Sequence, residues 1–212
     1  MVIDFVFALS ICLIMTSAGK ATEVFPQDRQ EEPTQRLGLP SLLPSLADMP
    51  RGTILAWEGV SQQWGGEEGF SRSFTGTGAF LPLGKSQLAN LETSVSLHGS
   101  GFEARAGVLA FGALAPSTVA ELFAQGVAKE LGAVPEAVTV RSIVLPSIGD
   151  NTSGYIVTVR GTFMDWVVAT IVFARDSVVG AVLGVGPEGQ VDVQDLVQVA
   201  ELIDRRIRNP AP

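Results

Sequence analysis

Three neighbouring stretches decide the fold: residues 154–163 (GYIVTVRGTF), 166–173 (WVVATIVF) and 178–185 (VVGAVLGV). All are rich in β-branched residues, and the connections between them are short. Loops this short force antiparallel neighbours. In the first stretch Tyr155, Val157 and Val159 face one way, and Ile156, Thr158 and Arg160 the other. A strand over residues 137–145 precedes them, and Ile148-Gly149-Asp150-Asn151 makes the turn between. Four strands in a meander follow from this reading.

A helix closes the chain from Asp192 to Arg208. Asp192 caps it, and Asp195 lies in the first turn, where the helix dipole favours acids. Leu196, Val199, Ala200, Ile203 and Ile207 fall on its sheet-facing side. Glu201–Arg205 and Asp204–Arg208 have ion-pair spacing on the wet side.

Two helices are predicted before the meander. Ser100 with Glu103 forms a capping box, and Phe102, Ala106, Leu109 and Ala113 make the buried stripe. Pro116 starts the second helix, Val119, Leu122, Phe123, Val127 and Leu131 form its buried face, and Gly132 and Pro135 stop it. Upstream, the Gly-rich third reads as turns and short strands: Phe70, Arg72 and Phe74 alternate with serines as in an edge strand, and residues 91–97 (LETSVSL) alternate more clearly. The expected fold is α+β: an antiparallel sheet of about five strands with a C-terminal meander, covered on one face by the two central helices and the C-terminal helix.

Residues 51–212 form this single domain. Residues 22–50 carry Pro26, Pro33, Pro40, Pro44 and Pro50 and read as a Pro-rich tether. Its second half is apolar, and Leu37, Leu39, Leu42, Leu43, Leu46 and Met49 are expected to lie on the domain as a clasp. Residues 1–21 read as a signal peptide or N-terminal anchor. The apolar run 5–15 (FVFALSICLIM) is shorter than the roughly 20 residues of a spanning helix, and small residues up to Ala21 offer cleavage sites. Asp4 stands where such a segment carries a base, and Ile11 is bulky for a lipid-modified Cys12.

The 14 Lys and Arg against 22 Asp and Glu give a net charge of −8, which argues against a nucleic-acid partner. One His and one Cys exclude most metal and thiol chemistry. The motifs are near misses. Residues 78–86 (GAFLPLGKS) approach a phosphate loop, but five residues separate the glycines where the pattern has four, and Pro82 removes an amide. Residues 184–189 (GVGPEG) match G-x-G-x-x-G, yet the chain is too short beyond them for a further βα unit. Both read as loops. Asn151-Thr152-Ser153 is a glycosylation sequon, meaningful only in a eukaryotic secretory pathway.

Residues 145–150 (LPSIGD), the meander and the helix DLVQVAELIDRRI resemble uncharacterised bacterial secreted α+β proteins. The helix-on-sheet order is also similar to the PsbP-like extrinsic proteins of photosystems and related envelope lipoproteins. The resemblance spans roughly residues 88–208 and implies a fold and an envelope location, with no catalytic residue.

The resulting expectation is an exported, monomeric, non-catalytic domain of the cell envelope or extracellular space, binding a small apolar ligand or a protein partner. No catalytic, cofactor or metal residues are expected, and contact with a membrane only through an uncleaved N-terminal segment. Trp57, Trp64 and Trp166 either grip such a ligand or fill the core. The alternatives are a serine hydrolase using Ser100 and His98, and a membrane-anchored scaffold.

Overall fold

The computed structural model describes residues 38–61, 66, 68–78, 80–131, 138–161 and 163–210. The expected export segment 1–21, the tether up to residue 37, Trp64 and the helix stop at Gly132 and Pro135 lie outside these residues.

A short helix α1 (Leu39–Leu42) and a 3-10 turn (Leu46–Asp48) come first. The strands β1 (Thr53–Val60), β2 (Glu68–Gly76), β3 (Leu81–Leu83), β4 (Ser86–Leu88) and β5 (Asn90–Leu97) follow. Next come helices α2 (Gly101–Gly112) and α3 (Pro116–Leu131). The meander β6 (Val138–Ser142), β7 (Asn151–Val159), β8 (Trp166–Arg175) and β9 (Val178–Pro187) leads to α4 (Val193–Arg208).

The chain is α+β, with one antiparallel sheet of seven strands in the order β1-β2-β5-β9-β8-β7-β6 and a β3-β4 hairpin beside it. The sheet has more strands than the five expected. The irregular register between Leu55 and Trp57 breaks the alternation by which β1 would be recognised. β5 adds to the meander through long-range pairing with β9, from Asn90↔Val185 to Leu97↔Val178.

The helical cover lies on both faces of the sheet, not on one. Val167, Ala169, Ile171 and Phe173 of β8 join Leu196, Ala200 and Ile203 of α4 in one buried cluster. Val168, Val172 and Ala174 join Val108 and Phe111 of α2 and Val119 and Phe123 of α3 in another. Side chains of opposite parity on a strand point to opposite faces. The run WVVATIVF is apolar at both parities, as two-sided burial requires.

α2 turns a different side inward from the one its spacing suggests. Ala104, Val108 and Phe111 are buried, and Phe102 and Leu109 are exposed. The helix is apolar nearly all round, so periodicity leaves its phase open, and contacts with the sheet set it. Phe111 meets Tyr155 edge to face at 5.2 Å between ring centres. The Tyr155 hydroxyl donates to the Leu114 carbonyl at 2.7 Å, just past the helix end, and lies 3.1 Å from the Phe111 and Gly112 carbonyls of the last turn. Burial pushes the Tyr155 phenol up.

The expected clasp forms. Leu39, Leu42 and Leu43 are buried in the α4-side cluster, while Leu46 is exposed. Two arginines fasten it: Arg72 donates to the Leu43 and Pro44 carbonyls at 3.3 and 3.0 Å, and Arg206 to Leu43 O at 2.6 Å and Asp48 at 2.8 Å. Partial burial works to raise the Asp48 pKa, but the Ser45 donors and Arg206 outweigh it and hold the carboxyl below its ordinary value. A lowered folded pKa adds stability that is present above the unfolded pKa, 3.8, and is lost as pH falls through the folded one. The Asp48→Asn variant should therefore have a lower denaturation midpoint than the parent chain at pH 7. The two midpoints should converge in acid, once the pH has fallen through the lowered folded pKa. A gap that persists unchanged into acid would contradict the clasp's reliance on the Asp48 charge.

Candidate functional site

The two faces of β5 differ. Leu91 and Val95 point into the α4-side cluster. Asn90, Glu92, Ser94 and Ser96 point the other way, and all four are buried. In the alternation LETSVSL the polar side reads as the wet one, and the structure instead encloses it.

Register extends this polar strip across the sheet. Ser73 pairs with Glu92, Ser71 with Ser94 and Gly69 with Ser96. Trp57 and Gly59 of β1 lie opposite Ser73 and Ser71. A Cβ at Gly59 would come within 2.9 Å of the Trp57 ring, so the absent side chain lets the indole lie along β1. On the other side the boundary is sharp, since Leu183 pairs with Glu92 and Ala181 with Ser94. α2 packs on β7, β8 and β9, and α3 on β6. The apolar half of this face thus lies under the helices, and the polar half begins at β5.

Hydrogen bonding in the strip is incomplete. Ser73 Oγ donates to Asn90 Oδ1 at 2.7 Å. Ser71 is 0% exposed, and its hydroxyl has no partner among the described residues. A buried hydroxyl left unpaired costs about 1–3 kcal/mol. Glu92 is a carboxylate on an inner strand of the sheet and only 5% exposed. Sequence reasoning missed all of these residues. The available signal was the run of small polar side chains at one parity of both β2 and β5.

The structure does not bring Ser100 and His98 together as nucleophile and base. Ser100 caps α2, its oxygen accepting the Glu103 amide at 3.2 Å. The His98 ring lies 3.3 Å from Ser96 Oγ. Trp57 borders the strip, while Trp166 packs against the cluster beneath α2 and α3. Among the described residues no group of three or more His, Cys, Asp or Glu could hold a metal ion.

The two motif-like stretches, which read as loops, are in large part strand: residues 81–83 and 86 belong to the β3-β4 hairpin and 184–187 to β9. In residues 78–86, Gly84 and Lys85 form the β3-β4 turn, with Gly84 at φ +57°. The amides of Lys85 and Ser86 donate to Asp195 Oδ2, each at 2.8 Å, the use a phosphate would otherwise make of them. Residues 184–189 run from the end of β9 into the turn before α4, with Gly189 at φ +78°.

No family model matches the chain, and no curated protein matches it. The PsbP-like resemblance therefore gains no support from families. Among solved structures, the fold is similar to the extracellular domain of PknH from Mycobacterium tuberculosis. The TM-score is 0.52 at 13% identity, over 80% of this chain and 94% of that one. At this identity the likeness establishes the fold.

Truncating the two serines separates their roles. The Ser71→Ala variant should be neutral or up to about 1 kcal/mol more stable, because no bond is lost and an unpaired hydroxyl disappears. Ser73→Ala should cost about 1–3 kcal/mol by stranding Asn90. Chemical denaturation measures both, and equal costs would contradict the hydrogen-bond assignment.

Proposed function

We propose that the chain is an exported, non-catalytic domain that holds a small polar ligand on the β1-β2-β5 strip. The observation that carries this reading is Ser71: a fully buried hydroxyl, unpaired among the described residues, in a strip of buried serines beside Glu92 and Trp57. A ligand hydroxyl or amide would complete those hydrogen bonds, and the indole would supply an apolar wall. This chemistry favours a polar ligand over the apolar one that composition suggests.

Export is supported by the apolar run 5–15 with its small following residues, and by a fold shared with a domain described as extracellular. The absence of catalysis is supported by the commitments of Ser100 and His98 to a helix cap and to Ser96.

Native mass spectrometry of the full chain, purified from its host without denaturation, tests the reading. The protein is expected in the exported fraction with one non-covalent polar adduct. Ser94→Val, which places methyls in the strip, should lose the adduct and stay folded. Bare chain in the parent protein, or an adduct retained in Ser94→Val, would overturn the assignment to the strip.

A further inference from the structure

Charge, shape and hydrogen bonding together constrain the occupant of the β1-β2-β5 strip. Register sets its side chains in transverse rows: Trp57, Ser73 and Glu92 in one, Gly59, Ser71 and Ser94 in the next, Gly69 and Ser96 in a third. Directly opposite neighbours in such a row have Cβ atoms about 4.5–5.5 Å apart. Three strands by three rows cover roughly 10 by 14 Å, the footprint of one or two sugar rings.

Charge removes one class of ligand. Arg72 is the one Lys or Arg in β1, β2 and β5. It points to the other face, where it donates to Glu58 at 2.8 Å and to the Leu43 and Pro44 carbonyls of the clasp. A phosphate, sulfate or carboxylate in the strip would face the Glu92 carboxylate with no base from these strands beside it.

Shape narrows the remainder. A Cβ at Gly59 would lie 2.9 Å from Cζ2 of Trp57 and 3.5 Å from Cε2 and Cη2, so the indole lies over Gly59, in the row of Ser71 and Ser94. Exposure rises toward this edge. Ser71, Ser73 and Glu92 are at most 5% exposed, Trp57 and Gly59 are half-buried, and Ile54, paired with Thr75 on the same face, is 45% exposed. The strip therefore opens at β1, over an aromatic plane.

Hydrogen bonding completes the selection. The Ser71 hydroxyl can donate once and accept twice, and none of this capacity is used among the described residues. A quaternary ammonium would suit the indole and Glu92, but it has no donor or acceptor for Ser71. A polyhydroxylated ring offers both an apolar C–H face for the indole and hydroxyls for the rows of Ser71 and Glu92.

We infer that the ligand of the strip is a neutral saccharide, with one pyranose ring on Trp57 and its hydroxyls toward Ser71 and Glu92. This rests on the strip being a binding site, as proposed above.

Chemical analysis of the co-purified adduct tests it. The full chain is purified from its host without denaturation, and the bound material is then released, methanolysed in acid and identified by gas chromatography with mass spectrometry. A neutral sugar equimolar with the protein is expected. That sugar is next titrated calorimetrically into the exhaustively dialysed chain. Trp57→Ala should weaken binding by roughly tenfold or more. Ser71→Ala, which costs no stability, should weaken it by roughly threefold or more. Val144→Ser, a fully exposed position that follows the far edge strand β6, should bind like the parent. No adduct at all removes the strip as a binding site, and this inference with it. An adduct that contains no sugar overturns the saccharide assignment alone and leaves the strip as a site. Unchanged affinity in Trp57→Ala or in Ser71→Ala overturns the assignment as well, as does binding lost in Val144→Ser.

Discussion

The rest of the structure depends on the burial of β8 and β9 on both faces. Their ten-residue runs are apolar at both side-chain parities, so each face must be covered. α4 covers one and α2 the other. Close packing then selects glycine at two points on β9. A Cβ at Gly180 would come within 2.4 Å of the Phe173 ring, and one at Gly184 within 2.8 Å of Leu196. At one end of these strands Arg175 joins Asp204 of α4 at 2.8 Å to Asp150 at 3.0 Å, which ties the layers together. The hydrogen bond to Asp204 leads the effects that raise the Arg175 pKa.

Covering half of each face leaves the other half to be resolved differently. On the α4 side, the clasp and the β3-β4 hairpin extend the apolar layer over β2 and β5, where Phe74, Leu91 and Val95 meet Leu42, Leu81 and Leu88. On the α2 side, the chain places small polar residues on the same strands and buries them. Polar groups are poor core material unless paired, and one of these is unpaired. That asymmetry is the physical basis for assigning function to the strip.

Much of the fold was legible in the chain. The meander, the caps at Ser100 and Asp192, the clasp leucines and the buried stripe of α4 follow from local rules of periodicity and capping. The remainder depends on long-range partners. The position of β5 beside β9 joins residues far apart in sequence. The phase of α2 depends on contacts with the sheet, such as Phe111 on Tyr155, because its own sequence is apolar nearly all round. Asp204, expected on the wet side of α4, is buried because Arg175 reaches it from β8. The strip was hidden for a related reason: alternation reports which side chains share a face, and not whether a polar face meets water.

Native-state hydrogen exchange across the sheet tests two-sided burial most directly. The amides of β8 and β9 should exchange only through global unfolding, with the highest protection in the domain, while the edge strands β1 and β6 exchange by smaller openings. Protection of β8 and β9 no greater than that of β1 and β6 would contradict the account.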